Sequence, residues 1–261
     1  MTTLDKRDLA DLKRAKMILE HPGMAARLAN TLGSPVEAGL KMLPKSWQKS
    51  VHTATEGALM KALDVAVRSL GTRRSETSSD RLHKLGVATS GALGGAFGIA
   101  ALAIELPVST TLILRSIADI AAAEGEDPRH LDTKLACITV FALGSTKDTR
   151  DNAAESAYFA ARAALATAVS EASKYLTEKG LAKSGAPALV RLVSLIASRF
   201  GVVVTQKTAA QAIPLIGAAG GAMINTVFIA HYQDMARGHF IVRRLEKIHG
   251  REPVRKAYDS L

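Results

Sequence analysis

Two stretches of this chain carry no Asp, Glu, Lys or Arg: residues 85–104 and residues 208–233. Each holds a small-residue heptapeptide, GALGGAF at 91–97 and GAAGGAM at 217–223. Uncharged runs of this length must be buried in protein or meet lipid. Glycine costs a helix interior roughly 0.8–1 kcal/mol relative to alanine. A cluster of glycines therefore implies a compensating gain, and the usual one is close approach of two backbones. Gly91, Gly94, Gly95 and Gly98 in the first stretch, and Gly217, Gly220 and Gly221 in the second, are the candidate helix-packing positions. Pro107 follows the first cluster and Pro214 precedes the second, as expected of two helical hairpins with opposed chain directions.

Three environments compete for these hairpins. Both stretches are long enough to span a bilayer, which takes about 20 apolar residues, and Gly91-xxx-Gly95 and Gly217-xxx-Gly221 have the spacing of packed membrane helices. Thr89, Ser90, Gln211, Asn225, His231 and Gln233 oppose insertion. Large apolar side chains favour the bilayer by only ~0.3–0.6 kcal/mol each. A phosphate cradle needs a strand followed by G-x-G-x-x-G, and neither cluster has that spacing. Close packing in a helical core is the third reading. Spanning, lying on a membrane and avoiding it all remain open.

The rest of the chain is read as helical. Alanine and leucine dominate, and β-branched runs are scarce. Leu4 to Glu20 reads as a basic amphipathic helix, with Leu4, Leu9, Leu12 and Leu19 on one face and Lys6, Arg7, Lys13, Arg14 and Lys16 around it. Further helices are expected at about 48–70, 108–123, 129–143, 151–179 and 188–210, with a helix or broken pair from Pro214 to Gly250. Residues 71–84 read as a loop. The expected fold is all-α, a multi-helix domain of about eight or nine helices around two glycine-rich hairpins packed together. The expected division is an amino-terminal helix and connector at 1–34, a helical domain at 35–250 and an exposed tail at 251–261.

The chemistry on offer is sparse. One cysteine, Cys137, excludes an internal disulfide and reads as a buried, inert thiol in an apolar helix. The start of the chain shows no secretory signal pattern, and a cytoplasmic location is expected. Glu246-x-x-His249 lacks the second Glu-x-x-His of a di-iron site, and Ser46-x-x-Lys49 stands without supporting motifs. Neither a metal nor a cofactor is expected. Glu105 closes the first uncharged run. The reading preferred here is that it meets water where the helix breaks; the alternative is a buried contact with Arg115 or Asn225. Asp119, at i+4, is an equally good partner for Arg115. His231 and Asp234 share a helix face, where the carboxylate could orient the imidazole.

Net charge is +10, which favours an acidic partner. Aromatic residues make up 4% of the chain, too few for a base-stacking surface, so nucleic acid is not expected. Anionic lipid gains about 1 kcal/mol per basic residue near the headgroups.

Two blocks resemble signatures of the EcsC family. They are ELPVSTTLILRSIADIAAAEGED at 105–127 and IPLIGAAGGAMINTVF at 213–228, with ARGHFIVRRLE at 236–246 fitting downstream. Glu105 and Glu124 depart from the residues most often found there. The resemblance implies a bacterial-type helical protein with a link to the membrane, and it supplies no catalytic residues. The function expected is a non-enzymatic accessory or scaffold protein at the inner face of the cell membrane. It would bind anionic membrane lipid or a membrane protein through apolar helices and basic flanks. The alternatives are a hydrolase-like enzyme with a polar site near Glu105, Arg115, Asn225 and His231, and a soluble protein forming a homo-oligomer through its small-residue surfaces.

Overall fold

A computed structural model describes residues 4–20, 24–32, 40–41, 46–70, 105–144, 156–181, 185–211 and 217–261. Among them the fold is all-α, without strands. The helices are α1 (Lys6–Glu20), α2 (Met24–Leu32), α3 (Ser46–Ser69), α4 (Glu105–Ala123), α5 (Leu131–Thr139), α6 (Ala157–Lys179), α7 (Pro187–Gln211), α8 (Gly217–His249) and α9 (Arg251–Ser260). The first glycine cluster (Gly91, Gly94, Gly95, Gly98), the expected loop at 71–84 and Pro214 lie outside the described residues.

Helix α8 organises the bundle. It is one unbroken helix of 33 residues, not a broken pair, and is therefore about 50 Å long. Gly217, Gly220 and Gly221 sit in its first turns, where glycine costs less than it would mid-helix. Gly221 is buried. α4 runs parallel to α8: Gln233 Nε2 donates to Ser116 Oγ at 2.7 Å, and further along Arg243 Nε donates to Glu126 Oε1 at 3.0 Å. α7 runs antiparallel to both and stacks Phe200 against Phe228 and Tyr232. α3 lies antiparallel along the far side of α7, where Ser194 Oγ donates to Glu56 Oε1 at 3.0 Å. Of the ten aromatic residues described, eight are buried in the bundle.

α1 packs antiparallel on α8. Leu12, Ala15 and Leu19 face inward, and Gly238 of α8 admits Leu19: a Cβ there would lie 2.6 Å from Leu19 Cγ. Gly238, outside both heptapeptides, is thus one position where glycine permits a close helix approach. Leu9, expected on the inner face, is 40% exposed. At about 100° per residue it stands 60° from Leu12 and some 80° from Leu19 around the wheel. The inner line is completed instead by Asp8, about 40° from Leu12 and about 20° from Leu19, while Asp11 lies on the flank opposite Leu9.

The expected exposed tail is a helix. Gly250, with φ +87°, ends α8 and turns the chain back. α9 then buries Val254 and Tyr258 against α1 and α8. Lys16 Nζ donates to the Tyr258 carbonyl at 2.7 Å, and the Tyr258 hydroxyl donates to Glu20 Oε1 at 3.2 Å. The two termini close one interface, so neither is an appendage.

Candidate functional site

Glu105 is the first described residue of α4. It does not meet water. It is 6% exposed and accepts a hydrogen bond from Lys207 Nζ, at 2.5 Å, across from α7. Lys207 is fully buried, and its ammonium also stands 4.8 Å from the centre of the Phe228 ring on α8. Burial lowers the Lys207 pKa, opposed by the Glu105 carboxylate. One ion pair and one ring thus join three helices. Asn225, fully buried, lies one turn before Phe228 on the same side of α8.

The sequence reading prefers water for Glu105, with Arg115 or Asn225 as the alternative; the structure gives it Lys207. Arg115 is exposed and pairs with neither Glu105 nor Asp119. Asp119 is half-buried. His231 lies six residues beyond Asn225, about 120° around α8, and joins a different group. It is 1% exposed, and neither ring nitrogen has a hydrogen-bond partner. Burial first, and then the Arg27 charge, push its pKa down to about 3. Asp234 does not orient it. That carboxylate accepts from Arg27 Nη1 at 2.7 Å and from Arg237 Nη1 at 2.9 Å. The four residues proposed for one enzymatic site therefore do not converge.

A second polar centre, on the lower half of α8, was not singled out from sequence. Arg162 of α6 makes two 2.8 Å hydrogen bonds to Glu246 and a third, 3.2 Å, to the Tyr158 hydroxyl oxygen. Because guanidinium only donates, the Tyr158 proton is left for His239 Nδ1, at 2.9 Å. That places the His239 proton on Nε2, which is buried and unpartnered. Burial raises the Tyr158 pKa; burial and two arginines hold His239 far below its ordinary value. Both groups stay neutral around pH 7, so the cluster locks α6 to α8 and has no acid or base ready for catalysis. Nearby, burial disfavours the charge on Glu126, yet hydrogen bonds from Lys247 and Arg243 hold its carboxyl below the usual range. His249 pairs with Asp8 at 2.6 Å, so Glu246 and His249 belong to separate ion pairs.

Cys137 is fully buried, and burial raises its pKa, so the thiolate needed for reactivity is suppressed. A cavity of about 330 Å³ opens between α3 and α7, lined by Val51, His52, Ala197, Ser198, Val202 and Gln206 among others. The Ser198 hydroxyl donates to the Leu195 carbonyl and His52 stands 3.4 Å from Glu56, so no hydrogen bond prepares that serine as a nucleophile.

Among the described residues two helices, α4 and α7, are long and apolar enough to cross a membrane by length and composition, with mean hydropathies of 1.3 and 1.8. About half of each is buried in the bundle, 50% and 44% of the most apolar window. No solved structure and no curated protein matches the chain. Among protein families, the EcsC protein family matches residues 6–245, from the first turn of α1 almost to the end of α8. The match takes in the amino-terminal helix that the sequence reading set apart, in keeping with the packing of α1 on α8. With nearly its whole length covered, the chain belongs to the EcsC protein family.

Proposed function

We propose that this protein is a non-enzymatic accessory or scaffold protein that associates with the surface of a membrane. The observation that carries the reading is the pair of span-length apolar helices whose outward faces keep large aliphatic side chains in the open. Val108 on α4 and Val190, Leu195 and Val202 on α7 are 38–45% exposed, and Met223 on α8 is 46% exposed. The +10 charge adds attraction to an anionic surface. The polar centres support a structural role, since their donors and acceptors are turned on one another or closed off from solvent. Fractionation of cells expressing the intact chain tests the reading. The protein is expected with membranes and on vesicles that contain anionic lipid. A protein found wholly in the soluble fraction and indifferent to such vesicles would overturn it.

A further inference from the structure

The charges of α1 are sorted by sign. Its three acids beyond the first turn's cap all face the bundle or its flank. Asp8 pairs with His249 and Asp11 with Arg244, both at 2.6 Å, and Glu20 accepts from Ser156 at 2.8 Å. Asp5 precedes the helix and caps it, accepting from the Asp8 amide at 2.7 Å. Lys16, on the edge, is held by the Tyr258 carbonyl. Lys6, Arg7, Lys13 and Arg14 are exposed and make no ion pair or hydrogen bond. The outermost line of the helix runs Lys6, Ala10, Lys13, Met17, with Leu9 on one flank and Arg7 and Arg14 on the other. Met17 is 48% exposed and Leu9 is 40% exposed.

Folding accounts for the inner face alone. A helix that only needs solvation outside has no reason to exclude acids there or to place two large apolar side chains among the cations. We infer that this outer face of α1 is the surface that docks on an anionic bilayer, the cations against lipid phosphates and Leu9 and Met17 in the headgroup–acyl boundary. The inference rests on the membrane-surface reading above and adds which face meets the lipid. The helix would lie in the plane of the interface, with α8 behind it. The stripe from Lys6 to Met17 is about 16 Å long, and four unpaired cations within it act together over a Debye length of about 8 Å.

The test is flotation of the full chain with vesicles of phosphatidylcholine, with and without phosphatidylglycerol. The variant K6Q/R7Q/K13Q/R14Q keeps good helix formers at exposed positions, so the fold is retained, as circular dichroism verifies. Each cation contributes about five-fold in partitioning, so this variant is expected to lose on the order of several hundred-fold on the anionic vesicles. The control K49Q/K61Q/K174Q/K179Q removes the same charge from exposed lysines on α3 and α6 and is expected to bind nearly as the parent does. In a Trp47→Phe background, Met17→Trp is expected to show a blue-shifted emission on anionic vesicles. Equal losses in both quadruple variants, or no loss in either, would overturn the assignment of the face while leaving membrane association standing. A parent chain that binds no vesicle would instead remove the membrane reading. A DNA duplex that displaces the vesicles with equal strength through the same four residues would overturn lipid as the occupant.

Discussion

The Glu105–Lys207 pair makes a quantitative demand on the fold. Lys207→Met keeps the aliphatic stem and removes the ammonium. Glu105 is then left 6% exposed without its counter-charge. Breaking a buried pair from one side costs about 3–5 kcal/mol, whereas replacing both partners by neutral groups of similar size is often close to neutral. We expect Lys207→Met to lower the unfolding free energy by about 3–5 kcal/mol, and the Glu105→Gln/Lys207→Met chain to recover most of that loss. For a chain of this size each kcal/mol moves the melting temperature by roughly 2–4 °C. Denaturant titration followed by circular dichroism gives the three differences and hence the coupling. If the two single changes simply add in the double variant, the pair contributes nothing and the reasoning fails.

The same site predicts a pH signature. In Glu105→Gln the lysine is buried without a carboxylate, and its pKa falls below the already lowered value in the parent. The unfolded chain holds the Lys207 proton up to about pH 10.4. The folded variant releases it earlier, so the unfolded state binds more protons in that window and stability rises with pH. The stability of Glu105→Gln relative to the parent should therefore improve as pH rises through the interval between the variant's lysine pKa and the parent's, both below the unfolded value of about 10.4. Parallel pH profiles would show that the lysine is not desolvated as described.

Gly238→Ala places a methyl against Leu19 Cγ. It should cost about 1–3 kcal/mol as overpacking, and Leu19→Ala in the same chain should return part of it; no coupling between the two would refute the close contact of α1 and α8. Gly144 has φ +73°, and a Cβ there would lie 2.6 Å from His231 Nε2. Gly144→Ala should destabilise the chain by about 1–3 kcal/mol, partly relieved by His231→Ala, again measured by denaturant titration; an unchanged midpoint would remove His231 from that contact.

Helix identity was legible because it depends on local sequence. Alanine content and punctuation by glycine place α7 to within a residue at each end and the end of α6 at Lys179, although α6 starts at Ala157 rather than near 151, and the helix expected near Arg129 is found at α5. What escaped depends on partners far along the chain. Lys207 is a lone cation within the apolar VVVTQKTAA, and Glu105 a lone anion at the end of an uncharged run. Each needs a counter-charge, and the two can satisfy each other, but 102 residues separate them and no periodicity links them. The search for a partner of Glu105 stayed within the two signature blocks and so passed over α7. α9 escaped for a different reason. Val254 and Tyr258, with Ala257 beside them, share one face of the helix, but the segment around them is so polar that this face does not read as core. Leu9 faces outward because the line through Leu12 and Leu19 continues at Asp8, which pairs with His249 of α8, a partner that leucine content alone does not reveal.

Whether the apolar helices cross a membrane turns on what covers them. α7 packs along α3, and α3 carries Lys49, Glu56, Lys61, Asp64 and Arg68. Taking α7 through a bilayer with α3 still attached would bring those charges with it, at ~2.5–3.5 kcal/mol each near the centre. Stripping α3 away would expose Glu56, Ser194 and the buried apolar face between the helices. The outward aliphatics of α7 offset this by only ~0.3–0.6 kcal/mol each, a few per cent to a tenth of the cost. The balance therefore favours a bundle that stays intact and rests on the surface. Val190, Leu195 and Val202 of α7 are then exposed surface side chains rather than the wall of a span. On this argument high salt or alkaline carbonate releases the protein from membranes, and retention through both would mean that α3 and α7 had come apart.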